Sequence, residues 1–329
     1  GEFGSMADHD LRARGSDSVE MDYNRFLQVG HYVFGLGGSF IANWSWKEMD
    51  DAVFPWGINY QNNGPEKPIR QAYKNQSLML RQISPKYIPP RVFLVVPIEQ
   101  TLGGNRGNTL SLLNKIIDKM FTLYPDFGVI DDRHLDKLPV EAKVLIYPTP
   151  YTIPDIAYAK LEAFVQAGGT LMITGDMGYD SNRQRTLNER FEKFCGVKYI
   201  SQNYTGNNWT AIDAPSINVE LKSASAVDDG YLNMYGNGKV YFSPKPFAPL
   251  MLSTFSEGIV NPNGIHIFKI NESSGSITYL AVNPGNEKGS ISLTYKNKTV
   301  ELPIDGNKTG MVRFSGDGKV LSVESQGEV

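Results

Sequence analysis

The sequence predicts an α/β protein that ends in an antiparallel β region. Three observations carry this prediction. Residues 1–90 hold a long amphipathic helix, residues 91–201 alternate apolar strands with helices, and residues 202–329 hold alternating strands rich in Gly, Asn, Ser and Thr. The 329 residues suit two or three domains, at roughly 100–200 residues per domain. We therefore treat these three blocks as the predicted domains.

The first block is organised around two helices. Apolar residues at helical spacing predict the first helix over 19–34, and Gly35 and the following glycines end it. The strand SFIANWSW follows at 39–46. A Pro-, Gly- and Asn-rich loop then leads to a second helix over 69–81.

The second block has continuous apolar strands, which are typical of a parallel sheet covered on both faces. We predict a flavodoxin-like doubly wound domain. Asn108 is expected to cap its first helix, Pro154 to open the next, and Thr186 to Phe194 to form another. The strands are RVFLVVP, GVID, KVLIYPTP and GGTLMITG.

The third block predicts an antiparallel β domain of the sandwich type, because its strands alternate and turn residues separate them. Its strands include GKVYFSP, GIHIFKI, SITYLAV and SISLTYKN. The segment Asn271-Glu272 is interpreted as a surface turn without a functional role.

Composition narrows the possible partners. The formal net charge of −3 gives no attraction to nucleic acid or to an anionic membrane, and no apolar run reaches the roughly 20 residues of a membrane span. A single cysteine, Cys195, excludes a disulfide framework and a Cys-rich metal site; we expect it to be a small buried side chain. No cofactor or metal is expected. Bacterial cytoplasmic and secreted locations both stay open.

The functional prediction depends on a cluster of tryptophans in the first block. Trp44, Trp46 and Trp56 lie within thirteen residues, and the chain has only 4 tryptophans in all. Sugar C–H surfaces pack on aromatic rings, while charged and amide groups bond the hydroxyls. The cluster therefore indicates a carbohydrate site, with core packing of the rings as the alternative.

Together, Glu2-Phe3-Gly4, the following helix and Trp44-Ser45-Trp46-Lys47 resemble strands seven and eight of the (β/α)8-barrel retaining glycoside hydrolases of clan A. The order of the three blocks resembles family 42 β-galactosidases, which carry a flavodoxin-like trimerisation domain and a terminal β domain. The resemblance implies that this chain is the C-terminal portion of such an enzyme. It also implies a homo-oligomer, a trimer or a dimer.

By this resemblance Glu2 is the catalytic nucleophile, and Trp44, Trp46, Lys47 and Asp50 bind the sugar substrate. The acid/base of the family lies on strand four, outside this chain, so the fragment alone is expected to be inactive. Two alternatives remain open: GEFGS is also what adjacent restriction sites encode, and the polar residues after Trp46 also fit a solvated loop.

Two other functions are alternatives to a glycosidase. The chain could be a non-catalytic assembly or carbohydrate-binding module, in which the flavodoxin-like block mediates oligomerisation. An amidotransferase-like enzyme is disfavoured, because it needs a cysteine at a strand-to-helix elbow and none lies near Thr174-Gly175.

Overall fold

The computed structural model describes residues 2–4, 19–38, 42–44, 58–59, 66–102, 106–203, 216–254 and 261–325. The helices within these ranges are α1 (Val19–Gly35), α2 (Pro68–Arg81), α3 (Ile98–Leu102), α4 (Arg106–Leu123), α5 (Asp155–Gln166) and α6 (Pro249–Ser253). The first strands are β1 (Glu2–Gly4), β2 (Ala42–Trp44), β3 (Val92–Val96), β4 (Gly128–Asp131), β5 (Val144–Pro148), β6 (Thr170–Thr174), β7 (Val197–Asn203) and β8 (Ser216–Leu221). The later strands are β9 (Ser225–Val227), β10 (Gly230–Tyr235), β11 (Gly238–Ser243), β12 (His266–Asn271), β13 (Ile277–Val282), β14 (Gly289–Tyr295), β15 (Lys298–Ile304), β16 (Thr309–Phe314) and β17 (Val320–Ser325).

Contacts divide the chain into two compact units. Unit 1 contains residues 1–88, 121–125 and 257–329, and unit 2 contains residues 89–120 and 126–256. The sequence division at residue 201 does not coincide with this one, because contacts assign the chain up to Ser256 to the unit of the parallel sheet.

Unit 2 is built on a sheet whose parallel part has the order β4-β3-β5-β6-β11. Counted along the chain this is 2-1-3-4-5, one of the two common orders of doubly wound sheets. Leu94, Leu145 and Leu171 have no exposed surface, as expected for strands covered on both faces. The predicted parallel sheet is therefore confirmed.

For the fifth parallel strand, the prediction from the sequence is wrong. GKVYFSP was placed in the antiparallel block, but β11 pairs with β6 in parallel, with Val240 opposite Leu171. Its other neighbour, β10, is antiparallel. The strand reaches the sheet from a hairpin rather than from a helix, so no local crossover pattern precedes it. Periodicity alone does not reveal which strand will be the partner.

Two predicted helix starts differ from the structure. Helix α4 already includes Asn108, which is therefore not its cap. The predicted helix over Thr186–Phe194 is reduced mainly to a π-helical turn at Phe191–Cys195. The preceding loop is held by the Asp180 carboxylate, which accepts bonds from the backbone N–H groups of Asn182 and Gln184. Within the predicted helix, the Thr186 N–H donates to the Gln184 carbonyl oxygen and the Leu187 N–H donates to that of Gly178, so these residues do not begin a helix.

Unit 1 contains two antiparallel sheets, β12-β13-β16-β17 and the hairpin β14-β15. They share a core that includes Ile267, Ile291, Leu302 and Phe314. The antiparallel character predicted for this part of the chain is confirmed.

Helix α1 of unit 1 uses two faces. Phe26 and Leu27 pack with Ile58, Ile69 and Ala72, which belong to α2 and the segment before it. Another cluster joins α1 and α2 residues to the β12-β13-β16-β17 sheet: Tyr32, Phe34, Met79, Ile83, Phe268, Leu280 and Met311. The apolar periodicity that predicted α1 thus reflects burial on both sides of the helix.

Candidate functional site

The candidate site is at the two N-terminal strands. β1 and β2 pair in parallel, with Glu2 opposite Ala42 and Gly4 opposite Trp44. Helix α1 connects them, so the segment is a β-α-β unit. Parallel strands end at the same edge of a sheet. Trp44 therefore stands two register positions beyond Glu2, or about 6.6 Å along the strand direction.

The structure brings together the backbones of two predicted site residues, Glu2 and Trp44. The placement of their side chains lies outside what the structure describes, and so do Trp46, Lys47 and Asp50. The catalytic and substrate-binding roles of all five residues remain predictions. Glu2 is the first of the three residues of β1, and Trp44 is the last of the three residues of β2.

The helix that connects the two strands lies close to α2. A Cβ atom on Gly30 would lie 2.4 Å from Cδ of Gln76, so any larger residue at position 30 would displace this buried side chain. The neighbouring His31 is fully buried. Its Nδ1 is 2.8 Å from the carbonyl oxygen of Leu27, one helical turn earlier. This position gives His31 a structural role in the packing of α1.

Burial lowers the pKa of His31 to about 4, and the hydrogen bond to Leu27 opposes this only in part. The folded protein therefore stays unprotonated at His31 while the unfolded chain takes up a proton near pH 6.5. Stability is expected to fall by about 3 kcal/mol between pH 7 and pH 4 from this group alone. The measurement is urea unfolding of wild type and His31→Gln across that range. The wild-type loss should exceed that of His31→Gln, whereas exposed His134→Gln should follow wild type. Parallel curves for wild type and His31→Gln would contradict the assignment.

The interpretation of Glu272 as part of a surface turn is wrong. Its side chain has no exposed surface. Arg313 donates two hydrogen bonds to its carboxylate, at 2.8 and 2.6 Å, and the Thr278 hydroxyl donates a third at 2.7 Å. Burial opposes ionisation, but these bonds outweigh it and hold the pKa of Glu272 below its usual value. The polar run NESSG is typical of a turn, and the partner arginine comes 41 residues later.

The end of β6 in unit 2 is where an amidotransferase-like nucleophile would stand. Gly175 occupies it with a left-handed φ of +71°, and a Cβ there would lie 2.9 Å from Oγ1 of Thr149. The cysteine of the chain is elsewhere, in the π-helical turn. Burial raises the pKa of the Cys195 thiol, and its Sγ lies 3.6 Å from Sδ of Met177. Cys195 is the buried side chain that the sequence predicted, and Gly175 offers no nucleophile.

Directly after Gly175, the buried carboxylate of Asp176 organises a second polar cluster. It pairs with Arg185, accepts a hydrogen bond from Gln202 Nε2 at 2.6 Å and accepts another from the Gly178 N–H at 3.0 Å. The Arg185 guanidinium lies 3.8 Å from the ring centroid of Tyr199. Every contact fixes the loop after β6, so we assign this cluster a structural role that the sequence did not reveal.

The described ranges contain neither a candidate metal centre nor a candidate membrane-spanning helix. No group of three or more His, Cys, Asp and Glu side chains there could hold a metal ion. None of the described helices is long and apolar enough to cross a membrane.

Comparison with known proteins finds similarity of fold. No protein-family model and no curated protein matches the sequence. A catalytic mutant of Gan42B, a GH42 β-galactosidase from G. stearothermophilus, matches with a TM-score of 0.65 and 14% identity, over 89% of this chain and 50% of that one. The fold of this chain is that of half a family 42 β-galactosidase. The resemblance predicted from the sequence is thus confirmed at the level of the fold.

Other solved glycoside hydrolases match in the same way. The β-galactosidase from Bacillus circulans sp. alkalophilus has a TM-score of 0.65 and 13% identity, over 88% of this chain and 51% of its own. The exo-β-1,4-mannosidase Op5Man5 from Opitutaceae bacterium strain TAV5 has a TM-score of 0.51 and 14% identity, over 77% and 48%. The chain spans about half the length of these structures.

Proposed function

We propose that this chain is the nucleophile-bearing, C-terminal part of a retaining β-glycosidase. The observation that carries the proposal is the parallel pairing of β1 and β2 across helix α1, in a chain with the fold of half a family 42 β-galactosidase. In this proposal residues 1–90 end a (β/α)8 barrel, a flavodoxin-like domain begins at residue 91, and a β domain occupies the C-terminal part of 202–329. Strands β9 to β11 then complete the sheet of the flavodoxin-like domain.

The proposed mechanism uses two carboxyl groups about 5–5.5 Å apart. Glu2 attacks the anomeric carbon of a β-linked sugar and forms a covalent glycosyl-enzyme. The second group protonates the leaving oxygen and later activates the water that releases the sugar. By the resemblance this second group belongs to barrel strand four, which precedes the chain, so Glu2 alone completes neither half-reaction.

The sugar itself is held by the segment that follows Glu2 in the β-α-β unit. Trp44 and Trp46 offer apolar ring faces to sugar C–H groups, and Lys47 and Asp50 hydrogen-bond the hydroxyls. The matching structures include β-galactosidases and a β-mannosidase. β-galactosides and β-mannosides are therefore the substrates to be compared, with a β-glucoside as a third β-linked sugar.

The proposal predicts that the 329-residue chain and a longer protein differ in their activity on nitrophenyl β-galactoside, β-glucoside and β-mannoside. The 329-residue chain is expected to hydrolyse none of them, whereas a longer protein that contains this chain and a complete barrel hydrolyses at least one. In the longer protein Glu2→Gln lowers turnover to background, because the covalent intermediate no longer forms. Glu2→Gly supplied with azide yields the α-glycosyl azide, since azide replaces the missing carboxylate.

The azide product is the readout that a merely structural Glu2 would not give. Exposed Glu66→Gln is the matched control and should retain activity. Full activity of Glu2→Gln in the longer protein would contradict the nucleophile assignment. Turnover by the 329-residue chain that is lost in Glu2→Gln would contradict the division of the active site.

A second candidate function, homo-oligomerisation through unit 2, is favoured by its exposed apolar side chains. Val140 and Ile156 are 84% and 74% exposed, respectively. A trimer or dimer would bury such residues, and a strictly monomeric chain in light scattering would contradict this role.

A further inference from the structure

Unit 2 contains a cavity of about 430 Å³. It is lined by residues that follow β3, β5 and β6, and it lies outside the carboxyl ends of these parallel strands. β3 and β5 are the adjacent strands at which the order 2-1-3-4-5 reverses. Open α/β sheets bind their ligands in the crevice at this reversal. Small-molecule sites occupy roughly 300–1,000 Å³, so the cavity has a suitable size.

Seven of the ten lining residues are polar or charged, but apolar surface contributes slightly more than half of the lining. Ile153, Pro154 and Leu187 are its apolar members. Hydrogen-bond donors come from the side chains of Gln100, Thr152, Ser181 and Arg183, and carboxylate acceptors come from Glu99, Asp155 and Asp180. Donors and acceptors thus belong to neighbouring residues of the lining, which suits a ligand that carries both kinds of group.

Two of the carboxylates are held by arginines outside the lining. Arg133 pairs with Glu99, and Arg190 pairs with Asp155. Arg190 also donates to the Ile153 carbonyl oxygen at 2.9 Å, and its guanidinium lies 4.4 Å from the ring centroid of Tyr158. These pairings neutralise the carboxylates while leaving further lone pairs as acceptors; the Asp155 side chain is 89% exposed.

The third carboxylate fixes the loop after β6. Asp180 accepts hydrogen bonds from the N–H groups of Asn182 and Gln184, both at 2.9 Å, and from the Thr186 hydroxyl at 2.9 Å. Ser181 and Arg183 are therefore presented by a closed turn whose shape exists before any ligand arrives. A preformed site loses less conformational entropy on binding than a loop that must order.

We propose that this cavity binds a neutral saccharide of one or two rings, independently of the glycosidase site. Hydroxyl groups both donate and accept, as the lining requires. The apolar side chains of Ile153, Pro154 and Leu187 offer contacts to sugar C–H groups. An entirely apolar ligand would leave the polar side chains of the lining unpaired. The proposal does not rest on the function of Glu2.

The test uses the 329-residue chain and titration calorimetry with lactose, cellobiose, mannobiose and inorganic phosphate. Ser181→Trp fills the cavity from an exposed position, whereas Asn182→Trp places the same ring on the adjacent exposed residue, which does not line it. We expect at least one disaccharide to bind, with Ser181→Trp raising its Kd about tenfold or more and Asn182→Trp leaving it within about twofold. Trp44→Ala should leave this binding intact.

Three results would overturn the proposal. The first is that none of the three disaccharides binds, and the second is that only phosphate binds. The third is that the disaccharide binds equally to wild type and Ser181→Trp while Trp44→Ala abolishes it, which would locate the sugar at the proposed glycosidase site instead. Circular dichroism of both tryptophan variants checks that they remain folded.

Discussion

Replacing Arg313 with methionine is expected to lower the free energy of unfolding by about 3–5 kcal/mol at neutral pH. The variant keeps an unbranched apolar stem but leaves the Glu272 carboxylate buried without its cation. The remaining hydrogen bonds, from the Thr278 hydroxyl and the more distant Ser84 N–H at 3.5 Å, do not replace a bidentate guanidinium. Urea unfolding of wild type and variant measures the difference.

The pH dependence of this loss identifies its cause. In wild type the lowered pKa of Glu272 contributes stability that is present above the unfolded pKa and is lost as the pH falls. In Arg313→Met burial raises that pKa instead, so the carboxyl takes up a proton on mild acidification. The difference between the two proteins should therefore shrink as the pH is lowered.

Two further variants serve as controls. Arg313→Met combined with Glu272→Met removes both charges and should recover much of the loss, because an apolar pair commonly replaces a buried ion pair without cost. Lys222→Met breaks the exposed pair with Glu220 and should leave stability unchanged. An Arg313→Met variant as stable as wild type would show that Glu272 is not a buried charge.

The second large effect is expected at Phe242, on the fifth parallel strand. Phe242→Ala should cost about 3–5 kcal/mol, since the side chain is fully buried and the cavity left behind collapses only in part. Its ring packs edge-on against Phe191 with centroids 5.7 Å apart, and it stacks with Tyr231 at 6.5 Å. Thermal and urea unfolding provide the measurement.

Met234→Ala, on the neighbouring strand β10, is the matched control. Its side chain is 61% exposed, so its truncation should change stability by less than about 0.5 kcal/mol. Native-state hydrogen exchange adds a second readout: Phe242→Ala should weaken protection in β5 and β6 along with β11. Loss of protection confined to residues 257–329 would instead support placing this strand with the C-terminal β region.

Much of the fold can be predicted from local sequence. Helix α2 was predicted over 69–81 and spans Pro68–Arg81. Four of the five parallel strands are predicted from the sequence. Three of them, β3, β5 and β6, are nearly continuous buried apolar runs, because strands covered on both faces show burial directly in their composition. The π-helical turn was not predictable in this way, since the Leu187 N–H donates to the distant Gly178 carbonyl oxygen instead of continuing a helix.

In the candidate site, too, some features can be predicted from local sequence and others cannot. Local sequence is enough to predict that Glu2 and Trp44 lie on strands joined by a helix, and that Cys195 is buried. The parallel pairing of those strands, the contact of Glu272 with Arg313 and the open cavity beside β3, β5 and β6 are visible only in the folded chain. The reason is physical: periodicity records which face of an element is buried, whereas strand pairing, buried ion pairs and cavities depend on residues that are distant in the chain.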